Sequence, residues 1–108
     1  MRRALIYHQE LLAGILTEDE YGYTFQYDAN YLQLEEAQAI SLTMPLTERP
    51  FQEKMLFPFF DGLIPEGWLL NIAEKNWKLN RQDRMSILLA CCKDCIGSVS
   101  VVSIQKEK

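Results

Sequence analysis

The chain has 108 residues, of which 48% are hydrophobic and 24% are charged, so it is long enough for one packed domain and unlike a disordered segment. Its net charge of -4 and scattered basic residues argue against direct nucleic-acid binding, which draws most of its affinity from lysine and arginine contacts to phosphates. A domain this small leaves little surface for a deep catalytic cavity, so we expect a binding module and no enzyme. No apolar run reaches the ~20 residues of a transmembrane helix, so no membrane contact is expected.

The N-terminal residues predict a three-stranded antiparallel meander. Apolar residues 3–7 and 11–17 flank the short polar segment 8–10, which is a hairpin signal. Residues 23–27 alternate aromatic and polar side chains, as a strand with one buried face does. The only histidine, His8, falls in the predicted hairpin turn and is interpreted as an ordinary turn residue.

The middle of the chain predicts one more strand and a helical turn. Residues 28–36 are polar and expected to be irregular. Residues 39–44 alternate and stop at Pro45, which indicates a fourth strand. Residues 51–64 are rich in phenylalanine and are broken by Pro58, and we expect a short helical turn there.

Two helices and a strand complete the predicted fold. A helix is predicted over 65–77, because its first residue is a proline, which suits the first turn of a helix. A second helix follows Asn80, which is a suitable N-cap, and residues 98–105 alternate as a last strand. The chain is therefore predicted to form a single α+β domain over 1–108, an antiparallel sheet packed with two to three helices.

The sequence lacks the motifs of common catalytic sites. Its five glycines are isolated, so no phosphate-binding loop is present, and neither G-x-S-x-G nor H-E-x-x-H occurs. Cys92 and Cys95 have the spacing of a redox motif or of half a zinc site, with Cys91 as a third candidate ligand. No second pair exists, so we favour small core cysteines, expect no metal or cofactor, and place the reduced thiols in the cytoplasm.

The predicted helix 65–77 carries large apolar residues on two faces. At about 100° per residue, Leu69 and Leu70 fall on one face, whereas Trp68 and Ile72 fall on the other. A large apolar pair opposite the core face is typical of a protein-binding surface, where tryptophan is enriched among the residues that dominate affinity. The alternatives are that the preceding loop covers Trp68 within the monomer, or that the pair mediates a homodimer.

We predict a partner-binding surface around the start of this helix. Its residues are Phe60, Asp61, Ile64, Pro65, Glu66, Gly67, Trp68 and Ile72.

Three segments in the same order resemble the N-terminal subdomain of the HipA-type serine/threonine kinase toxins. They are S-L-T-M-P-L at 41–46, F-F-D-G-L-I-P-E-G at 59–67 and D-C-I-G-S-V at 94–99. The corresponding family segments read approximately S-L-S-L/M-P-L, F-F-D-N-L-L-P-E/D-G and D-C-V-G-A. The nucleotide loop, catalytic aspartate and metal ligands of such kinases belong to a later part that these residues do not include. Kinase activity is therefore not implied.

The resemblance extends to the small third component of tripartite HipBST-type toxin–antitoxin systems, in which the kinase lacks this subdomain. It implies an antitoxin, similar to HipS, that binds a HipT/HipA-like serine/threonine kinase. A HipB-like DNA-binding protein in the same complex is also implied. Trp68 stands where kinase-fused relatives more often have a polar residue, which is consistent with an anchor for a separate partner.

Two other interpretations remain. The chain is either an accessory subunit or N-terminal subdomain that stabilises a HipA-type kinase without inhibiting it, or an independent enzyme. An enzyme would need a pocket built from His8, Asp61, Glu66 or Cys95, and these residues belong to unrelated predicted elements.

Overall fold

The computed structural model describes residues 2–64, 84–91 and 99–104. Within these ranges the chain forms five strands and three helices. They are β1 (Arg2–His8), β2 (Leu11–Asp19), β3 (Gly22–Tyr27), α1 (Ala29–Leu32), β4 (Phe51–Glu53), α2 (Pro58–Asp61), α3 (Arg84–Cys91) and β5 (Val99–Ile104). All neighbouring strands are antiparallel, and their order across the sheet is β4-β3-β2-β1-β5. The predicted α+β class, the N-terminal meander and the added C-terminal strand are confirmed.

The turn between β1 and β2 is shorter than predicted. Gln9 and Glu10 both have positive φ, 53° and 71°, which matches the two-residue turns that suit the twist of a hairpin. His8 is therefore the last residue of β1 and not a turn residue. Its side chain is buried, with Nδ1 3.2 Å from the hydroxyl of Tyr31 in α1, so the interpretation of His8 as an ordinary turn residue is wrong.

The core lies between one face of the sheet and the helices. Phe25 is at its centre, in ring contact with Tyr27, Phe51 and Phe60 at centroid distances of 4.9, 6.4 and 5.7 Å. Phe25 and Phe60 are completely buried, and aromatic side chains of this size bury the largest apolar areas. These contacts join β3, β4 and α2 into one hydrophobic cluster.

The predicted strand over 39–44 is wrong. Only an isolated bridge between Ser41 and Met44 forms there, and the edge strand of the sheet is β4 instead. The hydroxyl of Tyr27 donates to the carbonyl oxygen of Met44 and accepts from the amide of Ile40, so a side chain takes up backbone groups that a strand would pair. Phe51 pairs with Phe25 and brings β4 to the sheet edge.

Within the described residues, the helices differ from the sequence prediction in one place. Residues 28–36, expected to be irregular, contain α1, which begins because Asp28 Oδ2 accepts a hydrogen bond from the amide of Tyr31. The short helical turn predicted within 51–64 is α2. The predicted helix over 65–77, the Asn80 cap and the side chains of all three cysteines lie outside the described part of the chain.

Candidate partner-binding surface

An ion pair links the two helices next to the predicted surface. Arg84 Nε, at the start of α3, lies 2.6 Å from Oδ1 of Asp61, the last residue of α2. The two side chains are 32% and 43% exposed, so water screens their attraction and both remain accessible to a partner. Asp61 thus stands at the surface, as the prediction requires.

A groove of about 1060 Å³ runs beside this ion pair. In the described part of the chain, its lining comes from the turn between β2 and β3, from β4 and the segment that follows it to Leu56, and from Pro58, Asp61 and Arg84. This size is at the upper end of the range for small-molecule sites, and is large enough for several side chains of a protein partner.

The turn between β2 and β3 holds one wall of the groove in place. Asp19 Oδ1 accepts hydrogen bonds from the amides of Tyr21 (2.9 Å) and Gly22 (3.1 Å). Gly22 has a φ of 141°, and a Cβ atom there would lie 2.4 Å from the carbonyl oxygen of Glu53. Only glycine therefore allows this close approach of the turn to β4. The side chain of Tyr21 is 81% exposed on the preformed turn.

The groove combines apolar side chains with charges of both signs. Met55, which also lines it, is 78% exposed, and an exposed methionine is a soft surface that adapts to many shapes. Asp19, Glu53 and Lys54 add two acidic residues and one basic residue to the ion pair. Within the described ranges, no three His, Cys, Asp or Glu side chains are placed to hold a metal ion. Exposed Tyr and Met beside an Arg are the residue types enriched at protein interfaces.

Of the predicted partner-binding residues that the structure describes, two are buried and one is exposed. Phe60 is completely buried and Ile64 is 8% exposed, so both side chains belong to the core, and direct contact of Phe60 with a partner is corrected to a packing role. Asp61 alone of these three presents its side chain at the surface. The remaining five lie outside the described residues: Pro65, Glu66, Gly67, Trp68 and Ile72.

Sequence reasoning did not find the residues that the fold brings near Asp61. Arg84 is 23 positions away in sequence, and nothing in its local pattern marks it as a partner of Asp61. For Tyr21 a signal was present, because a large aromatic residue in the polar turn that follows Glu18, Asp19 and Glu20 has no reason to be there for packing.

Among the helices in the described ranges, none has the length and apolarity needed to cross a bilayer.

The fold thus defines an α+β domain with a five-stranded antiparallel sheet and a groove on its β4 side. Residues 4–102 match the family model of the HipA N-terminal domain, and the chain belongs to that family. The resemblance seen in the sequence is confirmed, and it associates the chain with HipA-type toxin systems.

The known proteins that are similar to this chain include the following two. An uncharacterized protein of Haemophilus influenzae (strain KW20 / Rd) is 34% identical over 95 residues, which are 88% of this chain and 83% of that protein. The solved N-terminal domain of HipA toxin superposes with a TM-score of 0.79 at 27% identity, over 99% of this chain and 96% of the other.

Proposed function

We propose that this chain is an antitoxin that binds a HipT/HipA-like serine/threonine kinase and neutralises it by protein–protein contact. The observation that carries the proposal is the family match over residues 4–102, which makes almost the whole described chain a HipA N-terminal domain. The Haemophilus influenzae relative supports it, because the alignment covers 83% of that protein and leaves little room for a kinase domain there. A kinase that works with the relative would therefore be a separate chain.

The groove beside Asp61 and Arg84 is our candidate for part of the contact. Tyr21 and Met55 offer apolar area there, and the ion pair offers a carboxylate and a guanidinium that can each bind an opposite charge on the kinase. The chain continues from α2 into the segment that contains Trp68, and the residue pattern of that segment predicts that Trp68 belongs to the same surface. The proposed contact therefore includes the groove and, by the sequence prediction, Trp68.

Binding of one domain is sufficient to silence a kinase. Phosphoryl transfer requires several mobile parts, including the nucleotide loop and the metal-binding residues, to be aligned at the same time. A bound protein that holds any one of these parts out of line stabilises an inactive arrangement. In this proposal the chain contributes binding energy only and carries out no chemistry itself, which is why it is not an enzyme.

The proposal also includes a DNA-binding protein in the complex and a cytoplasmic location. A HipB-like DNA-binding protein is expected in the same complex, so that this acidic chain meets operator DNA only through a partner. The complex acts in the cytoplasm, where its reduced cysteines are stable.

A second candidate function is a non-inhibitory accessory role that stabilises the kinase. The observation in its favour is the TM-score of 0.79 with a domain of the HipA toxin, since the same fold there is part of the toxin. In that case the chain would complete the kinase and would not block it.

Binding and kinase activity measured together separate these functions. The chain is mixed with a HipT/HipA-like kinase, complex formation is followed by calorimetry, and phosphoryl transfer from ATP is followed in the same samples. For an antitoxin, activity falls in proportion to the complex formed. For an accessory subunit, the complex forms while activity is unchanged or rises. The absence of a complex would contradict both.

Growth rescue in cells tests the same proposal with variants. Co-expression of the wild-type chain with the kinase should restore growth, and Trp68→Ala and Met55→Asp should restore it less well while remaining folded. Ile15→Thr is the matched control, because Ile15 is an exposed apolar residue outside the lining of the groove. Rescue that is equal in all four chains would show that the groove and Trp68 are not the contact.

A further inference from the structure

One leucine is completely exposed on a tight turn that does not line the groove. Leu42 is 100% exposed, in a turn closed by the bridge between Ser41 and Met44. The amide of Met44 donates to the carbonyl oxygen of Ser41 at 3.1 Å, and the amide of Thr43 donates to Ser41 Oγ at 3.2 Å. We call residues 40–46 the Leu42 turn.

Two buried tyrosines hold the backbone of this segment. The Tyr27 hydroxyl accepts from the amide of Ile40 at 3.1 Å and donates to the carbonyl oxygen of Met44, on the two sides of Leu42. The Tyr31 hydroxyl donates to the carbonyl oxygen of Gln38 at 2.6 Å and accepts from its amide at 3.0 Å. The two rings are stacked 6.2 Å apart with an interplanar angle of 5°. The core therefore fixes the path of the chain that carries Leu42.

The geometry gives Leu42 no role in the packing of its own domain. A side chain that is fully exposed contributes nothing to burial, whereas Ile40 and Met44 on either side are buried. Because the turn is already ordered, docking it into a partner costs less conformational entropy than docking a flexible loop. A rigidly presented apolar residue of this kind is suited to act as an anchor in another protein.

The surroundings of the turn indicate which surface would receive it. Residues 37–47 include no charged side chain, and Leu46 within them is 39% exposed. Glu35, Glu36 and Glu48 border this stretch and are exposed, with the single cation Arg49 after them. The segment thus has an apolar centre bordered along the chain by mainly acidic residues, and this charge pattern complements an apolar pocket edged by lysine and arginine.

We propose that Leu42 anchors this chain in an apolar pocket, bordered by basic side chains, on the HipA-like kinase; this inference rests on the proposed function. The Leu42 turn is held by Tyr27 at one end of β3, whereas the groove begins at Gly22 at the other end. The lining of the groove continues along β3 to Thr24, three positions before Tyr27, which is about 10 Å along the strand at roughly 3.4 Å per residue. The kinase is therefore contacted at two separate places on the domain.

Calorimetry with Leu42 variants and the kinase tests the anchor. Leu42→Ala is expected to weaken the affinity on the order of tenfold or more, as truncation of an anchor residue does, whereas Leu42→Met should retain affinity within about threefold. Both variants should unfold at the wild-type temperature, because the side chain is fully exposed. Ile15→Ala, at an exposed apolar residue outside the turn, is the matched control and should bind as the wild type does.

The salt dependence of kinase binding tests whether the acidic residues that border the Leu42 turn meet basic residues on the kinase. Replacing Glu35 and Glu36 by glutamine should make the affinity for the kinase less dependent on salt concentration than that of the wild type. An unchanged salt dependence would contradict the basic border of the pocket.

The outcomes distinguish this inference from the proposed function. If the wild type binds the kinase and Leu42→Ala binds equally well, the anchor is overturned while the antitoxin proposal stands. If the wild type does not bind the kinase, both are overturned. The third outcome is that Leu42→Ala leaves kinase binding unchanged while a dimer of the wild-type chain becomes a monomer in sedimentation. In that case Leu42 contacts a second copy of this chain, and the anchor on the kinase is overturned.

Discussion

Arg84 Nε lies 2.6 Å from Oδ1 of Asp61, and this contact joins α3 to α2 across 23 positions of sequence. Both residues line the groove that we assign to partner binding. The pair can thus contribute both to the stability of the fold and to partner binding, and mutation can separate these two contributions.

Reversing one charge of the pair tests its contribution to stability. Asp61→Arg should lower the free energy of unfolding by about 1 kcal/mol or less, because a pair that is a third or more exposed is screened by water. The double variant Asp61→Arg/Arg84→Asp should recover most of that loss in urea denaturation. If the effects of the two single changes simply add in the double variant, the residues do not interact in solution.

The burial of Phe60 predicts that its truncation acts through folding. Phe60→Ala should lower the free energy of unfolding by about 3–5 kcal/mol, because it removes a fully buried ring that contacts Phe25, Phe57 and Phe59. Phe60→Leu, which retains most of the apolar volume, should cost less. A Phe60→Ala chain that keeps wild-type stability but no longer binds the kinase would instead restore Phe60 as a direct contact residue.

The hydroxyl of Tyr27 is expected to stabilise the segment around the Leu42 turn. Tyr27→Phe leaves the buried amide of Ile40 and carbonyl of Met44 without this partner, at a cost of about 1–3 kcal/mol in the free energy of unfolding. Tyr21→Phe removes a hydroxyl from a side chain that is 81% exposed and should change stability by about 0.5 kcal/mol or less. Equal stabilities of the two variants in urea would show that the buried hydroxyl contributes nothing.

The same hydroxyl makes stability depend on alkaline pH. Burial raises the pKa of Tyr27 above its ordinary value of 10.0, an effect that the hydrogen bond from Ile40 opposes and the neighbouring Tyr31 reinforces. Because the folded state holds this proton more tightly, the stabilisation is fully present below pH 10 and is lost as the pH rises through the raised pKa. The advantage of the wild type over Tyr27→Phe in free energy of unfolding should therefore shrink above pH 10, by at most about 1.4 kcal/mol per pH unit. An advantage that stays constant to higher pH would contradict the raised pKa.

The strands of the sheet illustrate where local pattern is sufficient. β1, β2, β3 and β5 were predicted within two residues at each end, β1 and β2 from apolar runs on either side of a short polar segment, and β3 and β5 from alternation. The alternation over 39–44 has the same form, yet its residues are not a strand. There, alternate burial of Ile40 and Met44 comes from a turn held by Tyr27, and periodicity cannot distinguish the two.

The amino-acid sequence by itself determined the α+β class, the meander, the closing strand and the resemblance to HipA N-terminal domains, since local alternation and ordered short motifs carry this information. Only the tertiary structure decided that β4 forms the sheet edge, that His8 and Phe60 are buried, and that Asp61 meets Arg84. Each of these depends on which distant residues pack together, and that choice follows from the shape of the whole core around Phe25. The same packing leaves Leu42 outside the core and fully exposed, on a turn that the core nevertheless holds.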